Sequence, residues 1–185
     1  MADNPILNLN SLFSGRPGLT PSEGGHLAEC AVVCYDNCEY RALPDLQTVG
    51  RHNQPFTLIG PPVTNRMRRT YADLQEATEY GACGIAVLLM EASEGLTICE
   101  RASKGSGGFD YYLTPLSAEQ ELDTDNFLGT ATAALEVSGI LEGNIVDLQY
   151  RLNEKRRQLQ ERPQLLPVYI VVVGFSTSTA RMETL

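Results

Sequence analysis

From residue 70 onward, the spacing of apolar positions switches between a helical and an extended period. In TYADLQEATEYGACGIAVLLMEASEG (residues 70–95), Leu74, Ala77, Gly81, Ile85, Leu88 and Leu89 keep one apolar stripe at helical spacing. Gly81, Ala82 and Gly84 are small enough for that helix to approach a sheet closely, and Gly95 offers a C-cap. Three extended segments follow: LTICERA (96–102), GFDYYLT (108–114) and ATAALEVSGI (131–140). The acidic loop 115–129 separates the second from the third. NIVDLQYRLNEKRRQLQ (144–160) returns to a helical period, with Ile145, Leu148, Leu152 and Leu159 on one face. PVYIVVVGF (167–175) is a continuous β-branched run, the pattern of a strand buried on both faces.

Residues 70–176 thus read helix, strand, strand, strand, helix, strand. A mixed central sheet with flanking helices would bury all six elements, which makes the fold class α/β. Residues 1–69 read as an extension packed on the 70–185 core, the two together forming one compact domain. Residues 1–22, rich in Asn, Ser, Gly and Pro, read as an arm. TPSEGGHLAECAVVCYDN (20–37) reads as a helix that Ser22 could cap. EYRALPDLQTV (39–49) and FTLIG (56–60) read as short strands joined by the turn GRHNQP, with GPPVTN as a breaker after them.

The chain has 185 residues, 43% hydrophobic and 20% charged, which suits one globular domain. No uninterrupted apolar run reaches membrane-spanning length, so no membrane partner is expected. The N-terminal stretch has neither a basic start nor a long apolar segment, which argues against a secretory signal. With five cysteines, an odd number, reduced thiols in a cytoplasm are expected. The net charge of −9 counts against coating nucleic acid by charge alone. It leaves room for an enzyme whose acids hold a metal.

Two acids stand among apolar neighbours. Asp110 lies in the second core strand and Glu136, between Leu135 and Val137, in the third. An unpaired acid in such a place is costly. If the strands are adjacent, both carboxylates can point at one spot, where they repel unless something positive stands between them. A hard cation such as Mg²⁺ takes oxygen ligands at about 2.0–2.1 Å. It can polarise a phosphodiester and activate water. The plainer alternatives are that Asp110 caps the turn after GSGG and that Glu136 sits in a buried salt bridge with Arg101.

This order of elements, with Asp in one strand and Glu in the next, resembles the PD-(D/E)XK, or restriction-endonuclease-like, nuclease fold, in an uncharacterised bacterial form. The resemblance covers about 107 residues and implies an αβββαβ core that hydrolyses phosphodiester bonds of nucleic acid, in a setting such as genome defence or mobile-element biology. It implies that Asp110 and Glu136 hold Mg²⁺ or Mn²⁺, with the backbone carbonyl of Val137 completing the coordination. Glu79 or Glu76 would be the acid from the first core helix. Where the family has lysine, two residues after the glutamate, this chain has Ser138. Lys104, in the turn before Asp110, is the nearest replacement. A catalytically degenerate adaptor or subunit on the same fold is the alternative.

Arg151, Lys155, Arg156 and Arg157 form a basic stretch on the second helix that could steer a phosphate backbone, and RMRR (66–69) is another. A homo-oligomer or larger complex stays open. His26, Cys30, Cys34 and Cys38 recur every four residues. They span about 18 Å on a helix, too far for one ion. They read as a buried stripe of small hydrophobes, with a zinc site as the rival reading.

Overall fold

In a computed structural model that describes residues 4–103, 108–117 and 131–185, the chain is a mixed α/β protein built on one eight-stranded sheet. The first core helix, α3 (Leu74–Glu94), starts at Asp73, whose carboxylate accepts from the amides of Gln75 and Glu76. It ends at Gly95 in the left-handed region, φ 66° and ψ 26°, as the sequence predicts. Then come β4 (Leu96–Arg101), β5 (Tyr111–Pro115), β6 (Ala133–Ile140), α4 (Ile145–Gln160) and β7 (Val168–Gly174). The α4 N-terminus is closed by a reciprocal capping box between Asn144 and Asp147.

β5 runs antiparallel to both β4 and β6, and β7 returns parallel to β6. A final strand, β8 (Thr179–Thr184), follows antiparallel to β7. The sequence reading carries no strand past Phe175, although in STSTARMETL Ala180 and Met182 alternate with Arg181 and Glu183 at a strand's two-residue period. β8 extends the sheet beyond the expected core. It pairs in parallel with β2 (Asp45–Gly50), which is hairpinned to β3 (Pro55–Ile59), and β3 carries β1 (Ile6–Asn8). The full order is β1-β3-β2-β8-β7-β6-β5-β4.

The N-terminal residues are therefore part of the sheet and core rather than an arm on them. Leu7, Leu9 and Leu12 are buried, the last two in a 3₁₀ helix spanning Leu9–Ser14. Arg16, within the same stretch, makes a two-point ion pair to Glu91 of α3. α1 (Pro21–Asn37) is capped by Thr20, which accepts from the Glu23 amide, and not by Ser22. Pro21 has no N–H to satisfy and suits the first helical position, so the cap falls one residue before it. The basic run becomes a short helix, α2 (Asn65–Thr70), capped by Thr64. There Arg68 pairs with Asp36 of α1.

Successive β6 residues point to opposite faces of the sheet. Leu135 and Val137 join the larger core with α1 and α3, while Ala134 joins a smaller one with Leu148, Leu152 and Leu159 of α4. Gly81 and Gly84 serve helix–helix packing rather than the sheet. A Cβ on Gly81 would lie 2.9 Å from Ala31 Cα of α1, and one on Gly84 3.1 Å from Leu27 O. Contact between α3 and the sheet is set at Gly139 of β6, where a Cβ would lie 2.4 Å from the Thr78 carbonyl.

Gly139→Ala is expected to push α3 off β6 and cost roughly 2–4 kcal/mol, the upper range for overpacking against backbone. Urea unfolding monitored by circular dichroism checks this. An unchanged midpoint would show that α3 is not seated on that glycine.

Candidate functional site

The β5–β6 ladder pairs Leu113 with Ala133, Tyr112 with Ala134 and Tyr111 with Leu135, and goes no further. Asp110 stands in the bend just before β5, not within the strand. Its amide donates to the Leu135 carbonyl at 2.9 Å, and its own carbonyl accepts from Ala102 at 2.8 Å. β5 thereby separates from β6, and the next inward amide of β6, Val137 N–H, lacks a strand partner. The Asp110 carboxylate takes that place, with Oδ2 accepting from Val137 N at 2.8 Å. N–H and C=O of one strand residue face the same neighbour, so the Val137 carbonyl is also turned toward this notch.

Glu136 points to the α4 face, where it is 5% exposed. Its cation is Lys155 of α4, whose Nζ donates to Oε1 at 2.5 Å with the lysine 24% exposed. Arg101, the partner considered from sequence, pairs instead with Glu23 at 3.5 Å. Burial is the main force raising the Glu136 carboxyl from its ordinary value of 4.5 to about 7. The negative charge of Asp110 and a hydrogen bond between the two carboxyls add to it, while Lys155 opposes it. The two predicted acids therefore meet.

A pocket of about 270 Å³ opens at this notch, lined from α3 by Glu79, Tyr80 and Cys83 and from α4 by Arg151 and Lys155. Glu79 is exposed on its rim. Glu76 faces a different small pocket beside His26 and Cys30. Ser138 shares the Glu136 face, as strand alternation requires, and its hydroxyl accepts from Arg151 at 3.2 Å. Lys104 lies outside the described residues. Buried Tyr111 donates to the Cys83 thiol, which burial pushes up to about 12.

The basic stretch of α4 divides. Arg151 and Lys155, four apart, share the face toward the notch. Arg156 is turned toward β8, where it pairs with Glu183, and Arg157 is exposed. The sequence reading placed Lys155 only among residues that meet phosphate and missed it as the partner of Glu136. Its spacing from Arg151, beside the Leu148–Leu152 apolar stripe, is the signal that points to it.

Among the described residues, no group of three or more His, Cys, Asp or Glu side chains is arranged to hold a metal ion. A cation at the notch would have two carboxylates and main-chain oxygen. Cys30 and Cys34 are fully buried, with thiols pushed up to about 12 by burial, as packing residues require. No described helix is long and apolar enough to cross a membrane. Comparison with protein-family models, with curated proteins and with solved structures gave no match.

A ¹³C titration of the Glu136 carboxyl is expected to centre at about 7, to move down in Asp110→Asn and up in Lys155→Met. The folded protein holds this proton to higher pH than the unfolded chain does. The group therefore contributes stability fully below about 4.5 and loses it as pH rises through about 7. A midpoint at the ordinary 4.5 would contradict the shared notch.

Proposed function

We propose that residues 70–176 form a restriction-endonuclease-like core and that the protein hydrolyses phosphodiester bonds of nucleic acid. The observation that carries this reading is the meeting of Asp110, Glu136 and Lys155 where β5 leaves β6, within the helix–strand–strand–strand–helix–strand order. Lys155 from α4 stands in for the lysine that Ser138 replaces.

Mg²⁺ or Mn²⁺ would be held by Asp110, Glu136 and the Val137 carbonyl. The donor set fits a hard cation, since it is all oxygen and since the field of Asp110 that favours a proton on Glu136 favours a cation as well. When bound, such an ion supplies charge neutralisation and Lewis acidity toward the phosphodiester. The chain's own groups do the rest. The Val137 amide fixes the Asp110 carboxylate in place. Glu136, which shares its charge between that ion and Lys155, would be held there as the carboxylate and could orient an attacking water. Lys155 offers positive charge to the phosphoryl oxygens, and Arg151, one turn earlier, can steady the adjoining phosphate.

The second reading is a non-catalytic binding module. It is favoured by the direct Lys155–Glu136 ion pair, which compensates one carboxylate without any added cation, and by the net charge of −9.

Cleavage of single- and double-stranded DNA and RNA with Mg²⁺ or Mn²⁺ separates the two. Asp110→Asn, Glu136→Gln and Lys155→Met are each expected to lower the rate by roughly 100-fold or more, the usual scale for losing an acid–base or charge-stabilising group. Equal rates in wild type and the two carboxylate variants would overturn the assignment. No cleavage of any substrate would leave the binding module as the better reading.

A further inference from the structure

α3 stands on one face of the sheet and α4 on the other, and both line the pocket at the notch. Its floor is the edge of β6 at Val137 and Ser138, both buried. A phosphodiester that meets Asp110 therefore has to come down between two helices. The volume there, about 270 Å³, lies just under the range of about 300–1,000 Å³ usual for sites that take one small ligand. It has room for one nucleotide unit and not for a base-paired helix. A duplex is stiff over roughly 150 base pairs, so it does not dip one phosphate between two helices while its bases stay paired. Enzymes that need a nucleotide inside a pocket take a single strand or pull the nucleotide out of the stack.

Arg101, at the end of β4, lines the same pocket. It stands opposite Tyr111 in the β4–β5 ladder, on the α3 side of the sheet. Its guanidinium donates to the Tyr80 hydroxyl of α3 and contacts Glu23 at 3.5 Å through one terminal nitrogen. That ion pair is open to water, with the Arg101 side chain 60% exposed and that of Glu23 36%, so it contributes little and can yield to a better anion. On the opposite wall Arg151 is also exposed, with Glu154 at 3.4 Å and a bond to the Ser138 hydroxyl. Guanidiniums thus stand on both banks with N–H donors to spare. Tyr80, half-buried in the α3 wall, is held edge-on by the His26 ring, the centroids 4.5 Å apart. A fixed aromatic ring in a cleft with cations is the equipment of single-strand binding, since every base has a face that stacks.

We propose that the substrate is single-stranded nucleic acid, threaded between α3 and α4, with Arg101 on one bank and Arg151 on the other each holding a phosphate that flanks the reacting one. The inference rests on the reading of the notch as the place where a phosphodiester is met.

Fluorescence anisotropy of the full chain with labelled oligothymidylate, oligouridylate and a hairpin DNA duplex tests it. Titrations over a salt series, in EDTA and with Ca²⁺, read affinity apart from turnover by Mg²⁺ or Mn²⁺. At least one single strand is expected to bind about tenfold or more tighter than the hairpin. Arg101→Gln is expected to weaken single-strand binding about tenfold and to lower the salt slope by about 0.7, the value for one phosphate contact on a single strand. Arg101→Lys, which keeps the point charge, is expected to restore the slope. Arg41→Gln, at an exposed arginine outside the notch, is expected to match wild type. Thermal unfolding of each variant confirms that it is folded at the titration temperature. Equal affinity for hairpin and single strands, or an Arg101→Gln salt slope equal to that of wild type, would overturn the inference. Selective single-strand binding without cleavage under Mg²⁺ or Mn²⁺ removes the nuclease reading and keeps this one. Cleavage of hairpin stem and single strand at equal rates keeps the nuclease reading and removes this one.

Discussion

Two carboxyl groups that share one low-dielectric notch cannot both carry full charge unless a cation stands with them. That constraint organises the chemistry of this chain. Asp110 is fixed by the Val137 amide and Glu136 by the Lys155 ammonium, so neither carboxyl can turn away to relieve the repulsion. Burial first, and then the charge of Asp110, raise the Glu136 carboxyl to about 7 against the pull of Lys155. A structural salt bridge alone would need one acid and one base. The second acid, held in register by the first unpaired amide of β6, is the surplus that a site would use.

The fold supplies this arrangement through a local failure of pairing. β5 and β6 stay together for three residue pairs and then part. At that point β6 keeps β7 on its other side through Ile140, so only the edge toward β5 becomes free. α4 crosses the face that carries Glu136, and α3 the face that carries Val137. Gly139 lets α3 come down far enough for Tyr80 and Cys83 to close the notch from behind. The N-terminal strands reach the same sheet through β8, and the Arg16–Glu91 ion pair ties their segment to α3.

Most of the core was legible in the sequence, because α3, α4 and β7 have periods that admit one reading and β4, β5 and β6 fall between clear breakers. The two acids were legible for a related reason, since Glu136 interrupts an apolar strand and Asp110 precedes one. Lys155 was not. Motif spacing directs attention to position 138, whereas the lysine comes from an element 19 residues beyond the glutamate, and how a helix is rotated on a sheet is a tertiary property. β2 and β3 were legible as well, whereas β1 and the 3₁₀ turn after it were hidden by composition, and the short alternation of β8 was passed over. Thr179 and Ala180 are buried beside a half-exposed Arg181, and Leu7, Leu9 and Leu12 stand among asparagines and serines. Such segments become strands or helices because neighbours already in place accept their backbone bonds, not because their own pattern demands it.

The proposal that the notch is a cation site, and not simply an ion pair with a spare acid, is tested most directly by titrating Mn²⁺ into isotopically labelled protein and following paramagnetic broadening residue by residue. The account predicts that the first equivalent broadens the amides of Asp110, Glu136 and Val137 before any others, and that Asp110→Asn abolishes the selectivity. Broadening spread over the acidic surface with those three amides unaffected would contradict it.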